Sequence, residues 1–513
     1  MENSLYLCAS KLEITMKNNR ILTTVLLAVF LCLSAVAKDA VNMKFGKPTK
    51  EELTMTAYAQ EPDAEAVVLC RLTDVEYSVQ TDGYLVDYHE KIRIKVLKPE
   101  GAKYAHVSIP YYILQQGVGG VNNSQIALRP QHVELMGAVS ADDVVSGSIS
   151  EEIANNYIHE SIEDVKATAY NMEDGKTIKT RIKATDVVQE QVGEETWQAR
   201  FTIPDVREGT VIEYEYTRHS ELFYRLHDWQ AQWEIPVAYA RLTVTIPRHL
   251  LFNLEQHGSQ QLIGKQESTS MIYKLVSDPL AAPTNVMAYR YIFIGQDLKG
   301  APSDPKICLA DYYTGVTAEL CSFGLRSTAP ASYADTWEHV DQVLMEDENL
   351  GRMMEVHSPL HEQLQAENIQ AIANEKERAA AVCRLVFSRV KWNGKYAMWA
   401  RNTQETLQQG EGNSADVNML LMQTLHDAGL KVTPVVLRQR DLGALPVNFP
   451  TISKLTNYVV GIKTKTAGTV YVDASSPEGK LNTLPEQLLV ERAHPIGFTS
   501  AAPWVNLRRA VNL

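Results

Sequence analysis

The sequence predicts an α+β chain, with an N-terminal antiparallel β-sandwich followed by a layer of helices and then a second antiparallel sheet. Three observations predict it. From about Glu65 to Val276 apolar residues recur with a period of two, broken by turn signals. Steps of three and four appear only after about Ser332. The helical stretch is followed by strand-like runs rather than interleaved with them, which is the α+β order.

The β-elements come first. Lys91-Ile92-Arg93-Ile94-Lys95-Val96 alternates strictly, as does Thr210-Val211-Ile212-Glu213-Tyr214-Glu215-Tyr216, so each is expected to turn one face to a core. Residues 167–171 and 178–182 flank Glu173-Asp174-Gly175-Lys176, whose Asp-Gly pair signals a tight hairpin. Arg241-Leu242-Thr243-Val244-Thr245-Ile246 is a further strand, stopped by Pro247. Residues 117–156 are polar with interspersed Gly and Ser, and read as a long insertion.

The helices follow. One is expected over 332–345 around Trp337. A second spans 374–390, with Ala379, Val382, Val386 and Val390 on one face. A third starts at Asn413-Ser414, runs through Val417, Leu420, Leu421 and Leu425, and closes at Gly429 in the left-handed cap position. Strands are expected at 432–437, 458–462 and 469–473. A boundary between the halves falls between Ser277 and Ala310, rich in Pro, Ala and Gly. The expected division is a leader at 1–37, a β-sandwich at 38–290, a helix-plus-sheet domain at 300–490 and a tail at 491–513.

The leader has three parts. Met16-Lys17-Asn18-Asn19-Arg20 is basic, residues 21–33 are apolar, and Ser34-Ala35-Val36-Ala37 offers small residues for cleavage after Ala37. Met16 is the better start. The alternative is a transmembrane anchor, but the run falls short of the roughly 20 apolar residues that a span needs. Export to the periplasm or beyond the cell is the expectation. With 49 basic and 62 acidic residues the chain carries −13, a balance that disfavours nucleic acid and anionic membranes. Four cysteines lie beyond the leader: Cys70, Cys308, Cys321 and Cys383. They lack zinc-type spacing; a 308–321 disulfide and buried free thiols both stay open.

The segment Gly410-Glu411-Gly412-Asn413-Ser414-Ala415-Asp416-Val417-Asn418 resembles the nucleophile turn of the transglutaminase-like superfamily, whose fold is papain-like. In that family a Gly-rich turn presents a Cys at the start of a buried helix, a His follows on a strand and an Asp on the next. Lys391-Trp392-Asn393-Gly394 resembles the strand entry before the nucleophile, and the likeness covers about 333–484. The N-terminal half resembles a β-rich domain of unknown function that precedes this core in secreted proteins. The resemblance implies that Ser414 stands at the nucleophile position, Tyr458 at the histidine position and Asp473 at the acid position. A serine hydroxyl needs a base within hydrogen-bond reach, and an unperturbed phenol titrating near ~10 is a poor one.

The expectation is therefore a non-catalytic binding or scaffolding protein without a cofactor, whose cleft candidates are Trp392, Asn413, Ser414, Asn457, Tyr458 and Asp473. Its partner would be a peptide or protein rather than nucleic acid. Plain structural roles account for the same residues: a helix cap, a packed aromatic and a turn acid. Two other functions stay open, a hydrolase or acyl-transferase using Ser414 or Cys383, and a carbohydrate-binding or adhesive β-sandwich. His357-Ser358-Pro359-Leu360-His361 has metal-like spacing, yet Pro359 at its centre interrupts a helix and no third ligand is expected near. Gly117-Val118-Gly119-Gly120 lacks a P-loop lysine and following helix. Phe223, Tyr224, Trp229 and Trp233 read as core.

Overall fold

The alternating segments pair into a sheet of eleven strands among the described residues. The computed structural model of the protein describes residues 44–80, 83–115, 157–193, 196–223, 225–273, 284–302, 308–323, 331–332, 336–446, 450–452, 454–465, 467–497 and 504–511. The leader, the 117–156 insertion with its glycine run, and Tyr224 lie outside them.

The large sheet runs, in spatial order, Ile263–Tyr273, Thr284–Leu298, Val237–Pro247, Ala66–Gln80, Gly83–Val96, Val211–Ser220, Tyr157–Glu173, His106–Gln115, Thr196–Thr202 and Val188–Gln191. Lys176–Arg181 adds to Tyr157–Glu173 through the expected hairpin, where Asp174 and Gly175 both take positive φ (48° and 74°). The sheet is not purely antiparallel. Ala66–Gln80 runs parallel to Val237–Pro247, with Val68 opposite Val237 and Glu76 opposite Thr245. A parallel pair needs a long crossover, and everything between these strands supplies it. The stretch 277–310 contains strand Thr284–Leu298, second from the sheet's edge.

A smaller sheet of Leu250–His257, Gly315–Phe323, Ala331–Ser332 and Trp229–Gln230 packs on the large one. Leu250, Phe252, Val316 and Leu320 share a core with Val75, Leu242 and Val244. Trp229 is buried there and donates its Nε1–H to Thr73 Oγ1 at 2.8 Å.

Alternation predicted that Arg93, Lys95 and Glu213 face water; they are buried. The helix Lys50–Thr54 covers that face, placing Leu53 against Tyr170 and Val211. Arg93 pairs with both Glu213 and Glu52. Lys95 Nζ donates to Leu53 O at 2.8 Å and Gly209 O at 2.6 Å, and burial pulls its pKa down to about 8.

A second core runs from Val340 to Ile496 and surrounds the helix Ser414–Asp427. Residues 414–425 of that helix are all buried, as befits a helix enclosed on every side. Helix Glu375–Arg389, capped by Asn374, lays Ala379, Val382 and Val386 into the same core. The expected first helix starts later than its pattern suggested, at Trp337, because Thr336 caps it. A four-stranded antiparallel sheet covers the central helix in the order Gly468–Val472, Asn457–Thr464, Lys431–Leu437 and Ala493–Pro495. Gly429, at φ 73°, ends the helix as expected.

Candidate functional site

The Gly-rich turn is built by steric need. Gly410 adopts φ 72° to close helix Thr403–Gln409. Gly412 pairs in parallel with Trp392, and a Cβ there would meet Asp416 Cβ at 2.8 Å. The turn delivers Asn413 as N-cap. Its side chain accepts from Asp416 N at 2.9 Å, and Asp416 Oδ2 accepts from Asn413 N at 3.1 Å, a capping box with Asp in place of Glu. Arg401 completes it, since its backbone N–H and Nη2 reach Asp416 at 2.8 and 3.1 Å.

Ser414 is thus the first helical residue, and it is fully buried. Its Oγ donates to Asn457 Oδ1 at 2.8 Å and accepts from Ala397 N at 2.9 Å. Asn457 Nδ2 in turn points at Asp473 Oδ1, 3.5 Å away. The structure therefore brings Ser414, Asn457 and Asp473 into one line. Tyr458 is not in it. Its hydroxyl donates to Ala415 O at 2.9 Å within the core, and burial drives its pKa well above the ordinary phenol value. Side chains on a strand alternate, and Asn457, the first residue of its strand, takes the place between serine and acid.

Sequence reasoning missed Asn418. One turn after Ser414, it presents its amide on the same helix face. Nδ2 donates to Asp473 Oδ1 at 2.7 Å and to Tyr458 O at 2.8 Å, while Oδ1 accepts from Ala474 N at 2.7 Å. The i, i+4 spacing was the available signal. Ser475 also donates to Asp473 Oδ2, through its backbone N–H at 2.8 Å and its hydroxyl. Burial raises the Asp473 pKa, and the donors from Ser475, Asn418 and Asn457 counter it.

Beside this network the Trp392 and Tyr396 rings pack in a tilted pair, centroids 4.9 Å apart. Both are half-buried, and the Tyr396 hydroxyl reaches Ser475 Oγ at 3.2 Å. This half-buried aromatic pair lies at the edge of an otherwise buried network. An amide beside a serine hydroxyl cannot take its proton, and Asp473 spends its lone pairs on fixed donors. Cys383 offers no substitute: it is buried and its pKa is pushed up to about 12 by desolvation. Cys70, Cys308, Cys321 and Cys383 are all free thiols.

Two cavities lie in the β-rich half. A cavity of about 590 Å³ is lined by Arg71, Tyr104, Tyr214, Tyr216, Arg218 and Trp233, among others. A smaller one of about 210 Å³ shares Arg71, Tyr216 and Arg218 with it and reaches Glu90 and His227. Arg71 is held by Glu90 at 2.9 Å, and Arg218 lies 5.8 Å over the Tyr88 ring. The Nε of Arg218 is buried without a hydrogen-bond partner.

Residues 152–284 match the family described as a Domain of Unknown Function with solved structure, DUF3857. No curated protein matches the chain. Among solved structures, the chain is similar to a "putative protease" from Parabacteroides distasonis ATCC 8503, at 11% identity and TM-score 0.46, over 81% of this chain and 71% of that one. It also matches a "putative nutrient binding protein" from Legionella pneumophila, at 10% identity and TM-score 0.16, over 71% of this chain and 94% of that one. At these scores neither likeness bears on what this chain does.

Proposed function

We propose that this is an exported, non-catalytic transglutaminase-like protein that works by binding a peptide or protein partner, or as an envelope scaffold. One observation carries the reading: Ser414, at the position the resemblance gives to the nucleophile, is fully buried and donates its proton to the amide of Asn457. In this reading Asn457, rather than Tyr458, stands where a histidine would, and Asp473 keeps the acid position. An amide has no titratable nitrogen to serve as a base, so the geometry of a triad persists without its chemistry. The tilted, half-buried pair of Trp392 and Tyr396 forms the rim for a partner's apolar side chain. Export rests on the leader.

The test is reactivity. Purified protein is treated with a serine-directed fluorophosphonate probe and a thiol-directed probe. No stoichiometric labelling is expected at Ser414 or Cys383 in the folded protein, and labelling of either residue would sink the proposal. Export is checked separately by fractionation, with a mature N-terminus at Lys38 expected.

A second reading, carbohydrate binding by the β-rich half, is favoured by the 590 Å³ cavity with its tyrosines, Trp233 and two arginines. A glycan screen with the full chain and its Trp233→Ala variant tests it. Binding that survives the substitution removes this cavity from consideration.

A further inference from the structure

The helix that begins at Ser414 ends at Asp427, one helix length of roughly 20 Å away. Two imidazoles converge on this last carboxylate. His357 Nδ1 lies 2.7 Å from Asp427 Oδ1, and His361 Nδ1 lies 3.0 Å from Oδ2. The ring centroids are 5.1 Å apart, and the three ligand atoms all fall within 4.8 Å of one another. Pro359 lies in the loop between helices Gly351–Met354 and His361–Ala366, and that loop brings both rings to Asp427. Ser358 pins it, its N–H donating to Asp427 Oδ2 at 2.9 Å and its hydroxyl meeting Thr424 Oγ1 at 2.7 Å. The third ligand that sequence spacing did not reveal comes from 66 residues beyond His361.

We propose that His357, His361 and Asp427 bind a zinc ion. Two imidazole nitrogens and one carboxylate oxygen suit zinc, which accepts three protein ligands and leaves a fourth position to water. The His357 side chain is 81% exposed while that of Asp427 is 2% exposed, so the ion would enter from the solvent side onto a fixed anion. The site also sits at a helix C-terminus, whose partial negative charge favours a cation. Bound zinc would clamp the 357–361 loop to the central helix.

Hydrogen bonding alone offers a competing account, in which each neutral imidazole donates Nδ1–H to the carboxylate. Gln365 separates the two. Its amide lies 2.8 Å from His361 Nε2. Without metal, the Gln365 amide N–H donates to an unprotonated Nε2. With metal on Nδ1, the proton moves to Nε2 and donates to Gln365 Oε1 after an amide flip, the outer contact that orients a ligating histidine. Gln365 is a positioning residue for the metal, whereas in the hydrogen-bond pair it serves only to fix the His361 tautomer.

The experiment uses the tag-free full chain, stripped with chelator and titrated with zinc sulfate by calorimetry, with cobalt(II) as the visible-spectrum probe. One zinc per chain and an intense tetrahedral cobalt spectrum are expected. His357→Ala, which removes an exposed side chain, should abolish both, with the fold checked by circular dichroism. Gln365→Ala should weaken zinc by about 10–100-fold while leaving the fold intact. Absence of binding in the parent chain overturns the proposal. So does an unchanged stoichiometry and affinity in His357→Ala, which would put the ion elsewhere.

Discussion

Replacing Asn418 with alanine is expected to cost about 3–5 kcal/mol of folding stability. The side chain is fully buried and serves three backbone or carboxylate partners at 2.7–2.8 Å. Alanine leaves the Ala474 N–H without its acceptor, at roughly 1–3 kcal/mol, and removes a charge-assisted bond to Asp473 worth roughly 1.5–3 kcal/mol. Tyr458 O loses a partner as well. The sum is a large share of the roughly 5–15 kcal/mol that domains possess. Urea unfolding at constant slope measures it. The cost also depends on pH in a definite direction. The Asp473 carboxyl titrates above its ordinary value when folded, first because it is buried, so its contribution to stability is full at acid pH and is lost as pH rises through the raised value. Asn418 is one of the donors that oppose that rise. Without it the ionised carboxylate is penalised further at neutral pH, whereas the protonated acid is little affected. The cost of Asn418→Ala should therefore be full at neutral pH and shrink as pH falls through the raised Asp473 value. A loss below about 1 kcal/mol, or one that does not vary with pH, would refute the reasoning about this network.

Three further outcomes are expected. Arg93→Met strands Glu213 in the sheet interior and should cost about 3–5 kcal/mol by denaturant unfolding, whereas Arg93→Met combined with Glu213→Leu should recover most of it. Gly412→Ala drives a methyl into Asp416 and Thr406, disturbs the capping box at the head of the buried helix, and should lower stability by about 1–3 kcal/mol; a neutral effect would mean the turn yields easily. Burial works against the Glu160 anion, but His227, Arg218 and Ser220 outweigh it and hold the carboxyl down to about 2. Its stabilising contribution is thus present above the ordinary glutamate range and lost as pH falls towards about 2. Glu160→Gln should destabilise the protein near neutrality and flatten that acid limb in pH-dependent thermal unfolding.

Local signals in the chain carried a good deal of the architecture. The 3.6-residue stripe and the Asn cap fixed helix Glu375–Arg389, and Asp174-Gly175 fixed its hairpin, because each depends on neighbours a few residues apart. The start of the central helix at Asn413-Ser414 was legible for the same reason. Which faces would be covered was not. Arg93, Lys95 and Glu213 alternate like solvent-facing residues, and only helix Lys50–Thr54, folded over them from outside the pattern, makes them interior. The same limit explains the site. Adjacent strand residues point to opposite sides, so a shift of one position exchanges Tyr458 for Asn457 beside Ser414, and no local signal sets that register. Asp427 meets His357 and His361 across a fold of the chain that spacing cannot measure. Periodicity along the chain decides which residues become strand or helix. Contact between distant segments decides which side chains meet, and there the buried line of Ser414, Asn457 and Asp473 first becomes visible.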